Sequence, residues 1–134
     1  MKLLLDTHIL LWALTDDARL PVKARKLIED ADNDICYSVV SPWEVQIKHD
    51  LHPDKLAVNA RELAGYCEQA GFRPLPIRLQ HVFGLVSLER AAGAATHKDP
   101  FDRMLVCQAS AEKMLLVTHD ARIGDYTEPC VFVG

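Results

Sequence analysis

Four acidic residues stand where a strand ends or a helix begins, and their type and placement could support chemistry. Asp6 and Asp120 each follow a short apolar run, whereas Glu44 and Asp102 lie near the starts of predicted helices. Ligands of open parallel α/β sheets bind outside the carboxyl ends of the strands. We therefore expect these four carboxylates to share one rim of a sheet.

Carboxylates gathered at one rim require a compensating charge. Several of them within a few ångströms cannot all stay ionised, so either some bind protons or a cation joins them. Oxygen donors alone suit hard ions, chiefly Mg²⁺ or Mn²⁺. Such an ion can activate water and stabilise the leaving oxygen of a phosphodiester. It would also offset the repulsion between a polyanionic substrate and a chain of formal charge −4.

Each acid also has a purely structural interpretation as part of a helix cap. Acidic and hydroxyl side chains before Pro are typical of helix N-termini. The candidate caps are Asp99 before Pro100 with Asp102 at N3, Ser41 before Pro42 with Glu44 at N3, Asp120 before Ala121, and the pair Asp6 and Thr7. Taken singly, the structural role is favoured for each acid. Taken together, four acids at one sheet edge would repel one another, so their joint placement favours a shared functional role.

Short apolar runs alternate with helical patterns along the whole chain. Strands are predicted at 3–5, 35–40, 72–77, 114–118 and 130–133, and helices at 8–14, 22–31, from 41, at 58–70, at 80–91 and from 99. Residues 49–55 and 93–98 are expected to form loops. Pro74 and Pro76 confine the third strand to an edge or make it irregular, and Gly71 is a plausible residue C′. This alternation predicts an α/β domain with helices on both faces of a parallel sheet.

Composition places these elements in one ordinary globular domain that spans residues 1–134. Apolar residues make up 49% and charged residues 25%, and no apolar run approaches the ~20 residues that cross a membrane. Asp6 interrupts the N-terminal leucines, which argues against a signal peptide. The four cysteines show no Cys-x-x-Cys spacing, so zinc and disulfides are disfavoured. We expect a reduced, cytoplasmic protein without a membrane partner.

Four motifs in this order resemble those of PIN-domain proteins. They are Leu3-Leu4-Leu5-Asp6-Thr7-His8 with Trp12, Ser41-Pro42-Trp43-Glu44, Asp99-Pro100-Phe101-Asp102-Arg103-Met104-Leu105, and Val117-Thr118-His119-Asp120. Within that family the sequence is most similar to VapC-type ribonuclease toxins of prokaryotic toxin–antitoxin pairs. The resemblance implies a three-layer α/β/α sandwich and an endoribonuclease that uses Mg²⁺ or Mn²⁺. It also implies an RNA substrate, a homodimer, and a cognate antitoxin that blocks the active site.

The resemblance assigns roles to individual residues. It makes Asp6, Glu44 and Asp102 the three principal catalytic and metal-binding acids, and Asp120 the fourth and more variable one. For Asp99 the cap role is favoured over ligation of the metal. Thr7 would bond water or substrate near the metal, with a helix cap as the alternative. Independently of the resemblance, the position of Arg103 directly after Asp102 suggests a contact with a phosphate or a pair with a neighbouring acid, and the ion pair is favoured.

Other features of the sequence are weaker indications. Residues 49–53 depart from the family pattern, in which a more basic turn with glycine is expected. For His97 and Lys98, a solvated loop is favoured over a contact with RNA. Trp12 and Trp43 lie in apolar helices, so a core or interface role is favoured for them over a role as base-stacking surfaces.

Two other functional classes remain as alternatives. One is a catalytically silent PIN-like module that binds RNA or protein. The other is a phosphoryl-transfer domain of the response-regulator receiver type. The receiver fits less well, because no paired acids follow the first strand and no lysine ends the strand that contains Leu115.

Overall fold

The computed structural model describes residues 1–94, 99–126 and 131–134. Within these ranges, five strands form one sheet in the order β3-β2-β1-β4-β5. The strands are β1 (Lys2–Leu5), β2 (Asp34–Ser38), β3 (Arg73–Leu75), β4 (Leu115–Thr118) and β5 (Val131–Val133). All neighbouring pairs are parallel, as the alternating pattern predicts.

Helices connect the strands and cover the sheet. They are α1 (Thr7–Leu14), α2 (Val22–Glu29), α3 (Val40–Leu51), α4 (Ala60–Gln69), α5 (Leu79–Phe83), α6 (Pro100–Glu112) and α7 (Ala121–Gly124), and a 3₁₀ helix (Gly84–Ser87) follows α5. In the part of the chain that the structure describes, none of these helices has the length and apolar character needed to span a membrane.

The central strand β1 is buried on both faces of the sheet. Leu3 and Leu5 contribute to one apolar cluster, in which they join residues of α1, α2 and α4. Leu4 contributes to a second cluster, in which Leu105 and Val106 come from α6. Successive strand residues point to opposite faces, so the uninterrupted leucines of β1 serve two helical layers. The predicted three-layer α/β/α sandwich is confirmed.

The register of the strands brings several chain segments to one edge of the sheet. Leu5 is aligned with Tyr37 of β2 and with Val117 of β4. The strand order reverses beside β1, because the chain adds β2 and β3 on one side and β4 and β5 on the other. Asp6 and Asp120 follow the two strands that flank this switch point, which is where such sheets bind ligands.

The prediction that Ser41 caps the third helix is wrong. Helix α3 begins at Val40, and its first N–H is satisfied by the Ser38 hydroxyl at 3.0 Å. Pro42 is tolerated because the first N–H groups of a helix have no acceptor within the helix. Glu44 consequently lies one turn inside the helix rather than at N3. The helix also continues to Leu51, into residues predicted to form a loop.

The predicted helix at 80–91 is shorter than the pattern indicates. Helix α5 ends at Phe83 with Gly84 as its C-cap, and the chain continues only as one 3₁₀ turn. Arg90 then forms an antiparallel bridge with Tyr126 and donates a 2.7 Å hydrogen bond to the Arg122 carbonyl oxygen. These tertiary contacts, together with the low helix propensity of glycine, replace the expected helical turns.

Where the structure describes them, the remaining boundaries agree with expectation to within about two residues. β3, with Pro74 at its centre, is an edge strand. Gly71 has a positive φ of 79° after α4, and its N–H donates to the Glu68 carbonyl oxygen while that of Phe72 donates to the Cys67 carbonyl oxygen, which is a Schellman cap. The expectations for His97, Lys98 and Cys130 lie outside the described residues.

Candidate active site

Asp6 is held rigidly between β1 and α1. It is the N-cap of α1, and its Oδ1 accepts the backbone N–H of Ile9 at 2.8 Å. Its Oδ2 accepts a hydrogen bond from the buried hydroxyl of Thr118 at the end of β4. Only 4% of Asp6 is exposed. The cap and the neighbouring strand therefore fix both oxygens of this carboxyl group.

Glu44 is buried on α3 and contacts both a hydroxyl and an ammonium group. Its Oε1 accepts a hydrogen bond from Thr7 Oγ1 at 2.8 Å, and its Oε2 lies 2.7 Å from Nζ of Lys48. The Thr7 and Ser41 hydroxyl oxygens are 2.9 Å apart. Since Thr7 has one hydroxyl proton and donates it to Glu44, Ser41 donates to Thr7. Thr7 therefore joins α1 to Glu44, and the cap of α1 is Asp6.

Asp102 is placed by the cap of α6. Asp99 is the N-cap, as favoured from the sequence, and its Oδ1 accepts the backbone N–H groups of Phe101 at 2.9 Å and of Asp102 at 3.2 Å. Pro100 fills the first helical position, where its missing N–H costs nothing. The local sequence thus sets the start of α6 and with it the position of Asp102 at N3.

Asp120 follows β4 and caps the short helix α7. Its Oδ1 accepts the Arg122 N–H at 2.9 Å, and its Oδ2 lies 2.8 Å from Nη2 of Arg122. The backbone N–H of Asp120 donates to Thr118 Oγ1 at 3.0 Å. Thr118 therefore links Asp120 to Asp6 through one hydroxyl group. The cap expected for Asp120 is present, and it does not remove Asp120 from the group of acids.

The acids converge on one cavity of about 160 Å³, which we call the acid cavity. Its lining includes five carboxyl groups, from Asp6, Glu44, Asp99, Asp102 and Asp120. The lining also includes Thr7, His8, Lys48, Arg122 and Ile123. The predicted meeting of the acids at one rim is confirmed.

The pKa values of two carboxyl groups reflect this concentration of charge. Burial, followed by the negative charges of Asp99, Glu44, Asp6 and Asp120, raises the pKa of Asp102 to about 7. Burial also raises the pKa of Asp6, although the hydrogen bonds from Thr118 and Ile9 act in the opposite direction. Both shifts disfavour the ionised forms, so the cavity favours the entry of positive charge.

The donor set of the acid cavity fits a hard divalent cation. Its candidate ligands are carboxylate oxygens, the donors that Mg²⁺ and Mn²⁺ prefer. Across residues 1–94, 99–126 and 131–134, no three His, Cys, Asp or Glu side chains already form a metal-ligating cluster. Glu44 and Asp120 instead form ion pairs with Lys48 and Arg122. The fit therefore rests on donor chemistry and on the charge of the cavity.

Arg103 is oriented differently from the favoured prediction. Its Nη2 donates to the Leu85 carbonyl oxygen of the 3₁₀ helix at 3.3 Å. Among the described residues it forms no ion pair, and it is not part of the acid-cavity lining. Its observed contact holds the 3₁₀ helix against the first turn of α6.

Sequence reasoning assigned no role to three residues of the site: Lys48, Arg122 and Thr118. Lys48 lies four positions after Glu44, the spacing of facing helical residues. Arg122 lies two positions after Asp120. Thr118 ends a strand inside one of the recognised motifs, and a polar residue at the end of a buried strand is the signal that indicates it.

Comparison with known proteins agrees with this architecture. The family model described as PIN domain matches residues 3–129. The fold is similar to VapBC2 from Rickettsia felis bound to a DNA fragment from its promoter, with TM-score 0.65, 16% identity, and coverage of 100% of this chain and 98% of that one. It is also similar to a toxin–antitoxin complex from Klebsiella pneumoniae, with TM-score 0.59, 18% identity, and coverage of 97% and 95%. No curated protein sequence matches. The chain belongs to the PIN domain family.

Proposed function

We propose that this chain is an endoribonuclease that hydrolyses RNA phosphodiester bonds at the acid cavity with Mg²⁺ or Mn²⁺. The observation that carries the proposal is the convergence of Asp6, Glu44, Asp102 and Asp120 on one cavity at the switch point of a parallel sheet. Membership of the PIN family supports a nuclease. Structural likeness to VapBC2 and to a second toxin–antitoxin complex supports the narrower proposal of a VapC-type toxin.

In this proposal Asp6, Glu44 and Asp102 hold the metal ion, with Asp120 as a fourth ligand. A bound Mg²⁺ or Mn²⁺ would supply an activated water and stabilise the charge that develops on the phosphate oxygens. The surrounding groups orient the ligands before the substrate arrives. Thr118 fixes Asp6, and the Asp99 cap fixes the backbone of Asp102.

The basic side chains of the cavity have a second task in this mechanism. Lys48 and Arg122 neutralise Glu44 and Asp120, and both line the acid cavity, so in this proposal their N–H groups contact the phosphate bound there. Charge-assisted hydrogen bonds from such groups bind phosphate strongly. Arg103 positions the first turn of α6, which carries Asp102, through its bond to the Leu85 carbonyl oxygen. Thr7 positions Glu44 through its hydroxyl group.

Partners follow from the same proposal. A cognate antitoxin would cover the acid cavity, and we expect both proteins in the cytoplasm with the RNA substrate. A homodimer is supported by large apolar side chains that are exposed on α5 and the 3₁₀ helix, namely Leu79, Val82, Phe83 and Val86. Apolar side chains gathered on one surface are typical of protein interfaces.

A catalytically silent binding module is the second candidate. It is favoured by one observation, the ion pairs that already engage Glu44 and Asp120. If these pairs persist in the working protein, the cavity would bind RNA or protein through Lys48 and Arg122 without cutting RNA.

One experiment separates the two candidates. End-labelled RNA is incubated with the purified chain in Mn²⁺, in Mg²⁺ or in EDTA, beside the Asp102→Asn variant. The nuclease cuts RNA only with a divalent ion, and Asp102→Asn reduces the rate by about a hundredfold or more. RNA that binds to the wild-type chain but stays intact under all three conditions supports the silent module.

A further inference from the structure

A second cavity of about 670 Å³ opens beside the acid cavity, and we call it the side cavity. Thr7, His8 and Lys48 contribute to the lining of both cavities. The side cavity lies between α1, α3 and the segment that connects α3 to α4. Its volume falls in the range of about 300–1,000 Å³ that is usual for ligand sites. A ligand that enters the acid cavity can therefore extend into the side cavity.

The inner wall of the side cavity is apolar. It is formed by Leu11 and Trp12 of α1, Val45 of α3, and Leu56 and Val58 of the connecting segment. Apart from Val45, which is fully buried, these side chains are partly exposed. An apolar wall of this kind suits a flat, weakly polar group such as a nucleobase.

Hydrogen bonds hold the connecting segment firmly against α3. Nδ1 of His49 lies 2.8 Å from the Leu56 carbonyl oxygen. Oε1 of Gln46 accepts the Ala60 N–H at 3.0 Å. The connecting segment is thus tied to α3 near its middle and at its end, and the shape of the cavity is set before a ligand binds.

The rim of the side cavity is basic, although the chain carries a formal charge of −4. Arg19, Lys48, His52 and Lys55 contribute to it. Asp17 also lines the cavity and pairs with Arg19 at 2.8 Å, and Lys48 pairs with Glu44 at 2.7 Å, so Lys55 carries the excess positive charge of this rim. An excess of basic groups around an apolar wall is the combination that binds single-stranded nucleic acid, in which cations follow the backbone and aromatic groups stack on the bases.

Planar groups already gather at Trp12 on this wall. The Arg19 guanidinium carbon lies 5.3 Å from the centre of a Trp12 ring. The His8 ring is 5.8 Å from Trp12, tilted by 34°. His8 also contributes to the acid cavity, so the aromatic surface leads from the carboxylates into the side cavity.

We propose that the side cavity binds one nucleoside of single-stranded RNA, next to the phosphate that is cut in the acid cavity. The base lies against Trp12 and the apolar wall, and Lys48 and Lys55 contact the flanking phosphates. This inference rests on the proposed nuclease function. It specifies the path that the RNA strand takes when it leaves the acid cavity. A base within a duplex cannot enter, so the site selects single-stranded RNA.

Fluorescence of Trp12 tests whether a base lies in the cavity. The chain has two tryptophans, and Trp43 packs edge-on against Phe101 outside both cavities. In a Trp43→Phe background, Trp12 is therefore the only tryptophan. We expect hexauridylate and hexaadenylate, titrated in EDTA so that they stay intact, to quench its emission with saturation.

Substitutions test the cavity by a second route, using labelled hexauridylate and fluorescence anisotropy. Lys55→Glu should weaken RNA affinity by about tenfold at low salt, whereas Lys23→Glu, the same charge change on exposed α2, should change it by less than about twofold. Trp12→Ala should lower the RNA affinity by about tenfold, and Trp12→Phe should retain most of the affinity because Phe also stacks on bases. Lys55 is exposed, so its substitution should not impair folding.

The outcomes separate this proposal from the nuclease proposal. If Mn²⁺-dependent cleavage is intact but Trp12 emission is unchanged and Lys55→Glu binds RNA like Lys23→Glu, the nucleoside site is wrong and the nuclease stands. If RNA is neither bound nor cut, both fail. If the substitutions leave RNA affinity alone but abolish capture of a co-expressed antitoxin, the cavity holds a protein segment and the proposal is overturned.

Discussion

Thr7 donates a hydrogen bond from its hydroxyl to Oε1 of Glu44, a residue 37 positions away, over 2.8 Å. Thr7 is the first residue of α1, and its neighbour Asp6 is the cap of the same helix. The end of β1 therefore delivers one acid to the cavity directly and orients a second acid through the adjacent hydroxyl. Two consecutive residues set the geometry of two of the four carboxylates that we assign to the metal.

The first prediction concerns this hydrogen bond. Thr7→Val removes the hydroxyl at nearly constant shape, and we expect cleavage to fall by about 10–100-fold, the usual effect of losing an outer-shell contact to a metal ligand. The free energy of unfolding should fall by about 1–3 kcal/mol, because the buried Glu44 and Ser41 lose a partner. Thr7→Ser keeps the hydroxyl and should retain most of the activity. Equal rates for the wild type and Thr7→Val would show that the contact does not orient Glu44.

The second prediction separates the two tasks of Asp6. Asn is as good an N-cap as Asp, so Asp6→Asn should keep the bond to Ile9 and leave thermal unfolding nearly unchanged while it abolishes cleavage. Asp6→Ala should abolish cleavage and also cost about 1 kcal/mol of stability through the lost cap. Calorimetry and an RNA cleavage assay measure both effects. A large loss of stability in Asp6→Asn with activity retained would identify Asp6 as a structural acid.

The third prediction uses the raised pKa of Asp102, from 3.8 to about 7. Between these values the folded state binds more protons than the unfolded state, so the free energy of unfolding decreases as pH rises through this window. In metal-free buffer, Asp102→Asn should therefore raise the melting temperature by a few degrees at pH 8 and change it little near pH 4. Asp54→Asn, at an exposed position, serves as the control. An Asp102→Asn variant that is less stable than the wild type at pH 8 would contradict the burial and charge repulsion that raise the pKa of Asp102.

The fourth prediction concerns the exposed apolar side chains of α5 and the 3₁₀ helix. Val86 is 92% exposed, so Val86→Glu should not affect folding but should disrupt a dimer that buries this surface. Val22, which is 69% exposed on α2, gives the matched control Val22→Glu. Light scattering after size exclusion should report a monomer for the first variant and a dimer for the second. A dimer in both would place the interface elsewhere.

Local signals explain why part of the site could be predicted from the sequence. Asp99 and Pro100 define the start of α6 by short-range hydrogen bonds alone, and Asp102 follows from that start. Asp6 and Asp120 were recognisable because one apolar run ends directly before Asp6 and another ends shortly before Asp120. The order of the strands then brings the acids together, and alternating patterns predict parallel strands well.

Contacts between distant segments could not be predicted in the same way. The hydroxyl of Thr118 reaches Asp6 across 112 positions, and no local pattern encodes that pair. The predicted start of α3 was wrong because proline is compatible with any of the first helical positions. The Ser41-Pro42 pair is therefore consistent with more than one start of the helix. The ion pair favoured for Arg103 was wrong because the 3₁₀ helix packs on α6 and offers the Leu85 carbonyl oxygen to this side chain. Such tertiary packing has no local sequence signal.

Titration of Mn²⁺ into the purified chain by isothermal calorimetry tests the central claim most directly, because it reports on the acid cavity without RNA. We predict saturable binding to the wild type and to Asp54→Asn, and affinity at least about tenfold lower for Asp102→Asn, because one charged oxygen ligand is lost. No binding to the wild type, or equal affinity for the wild type and Asp102→Asn, would contradict the assignment of the acid cavity as a metal site.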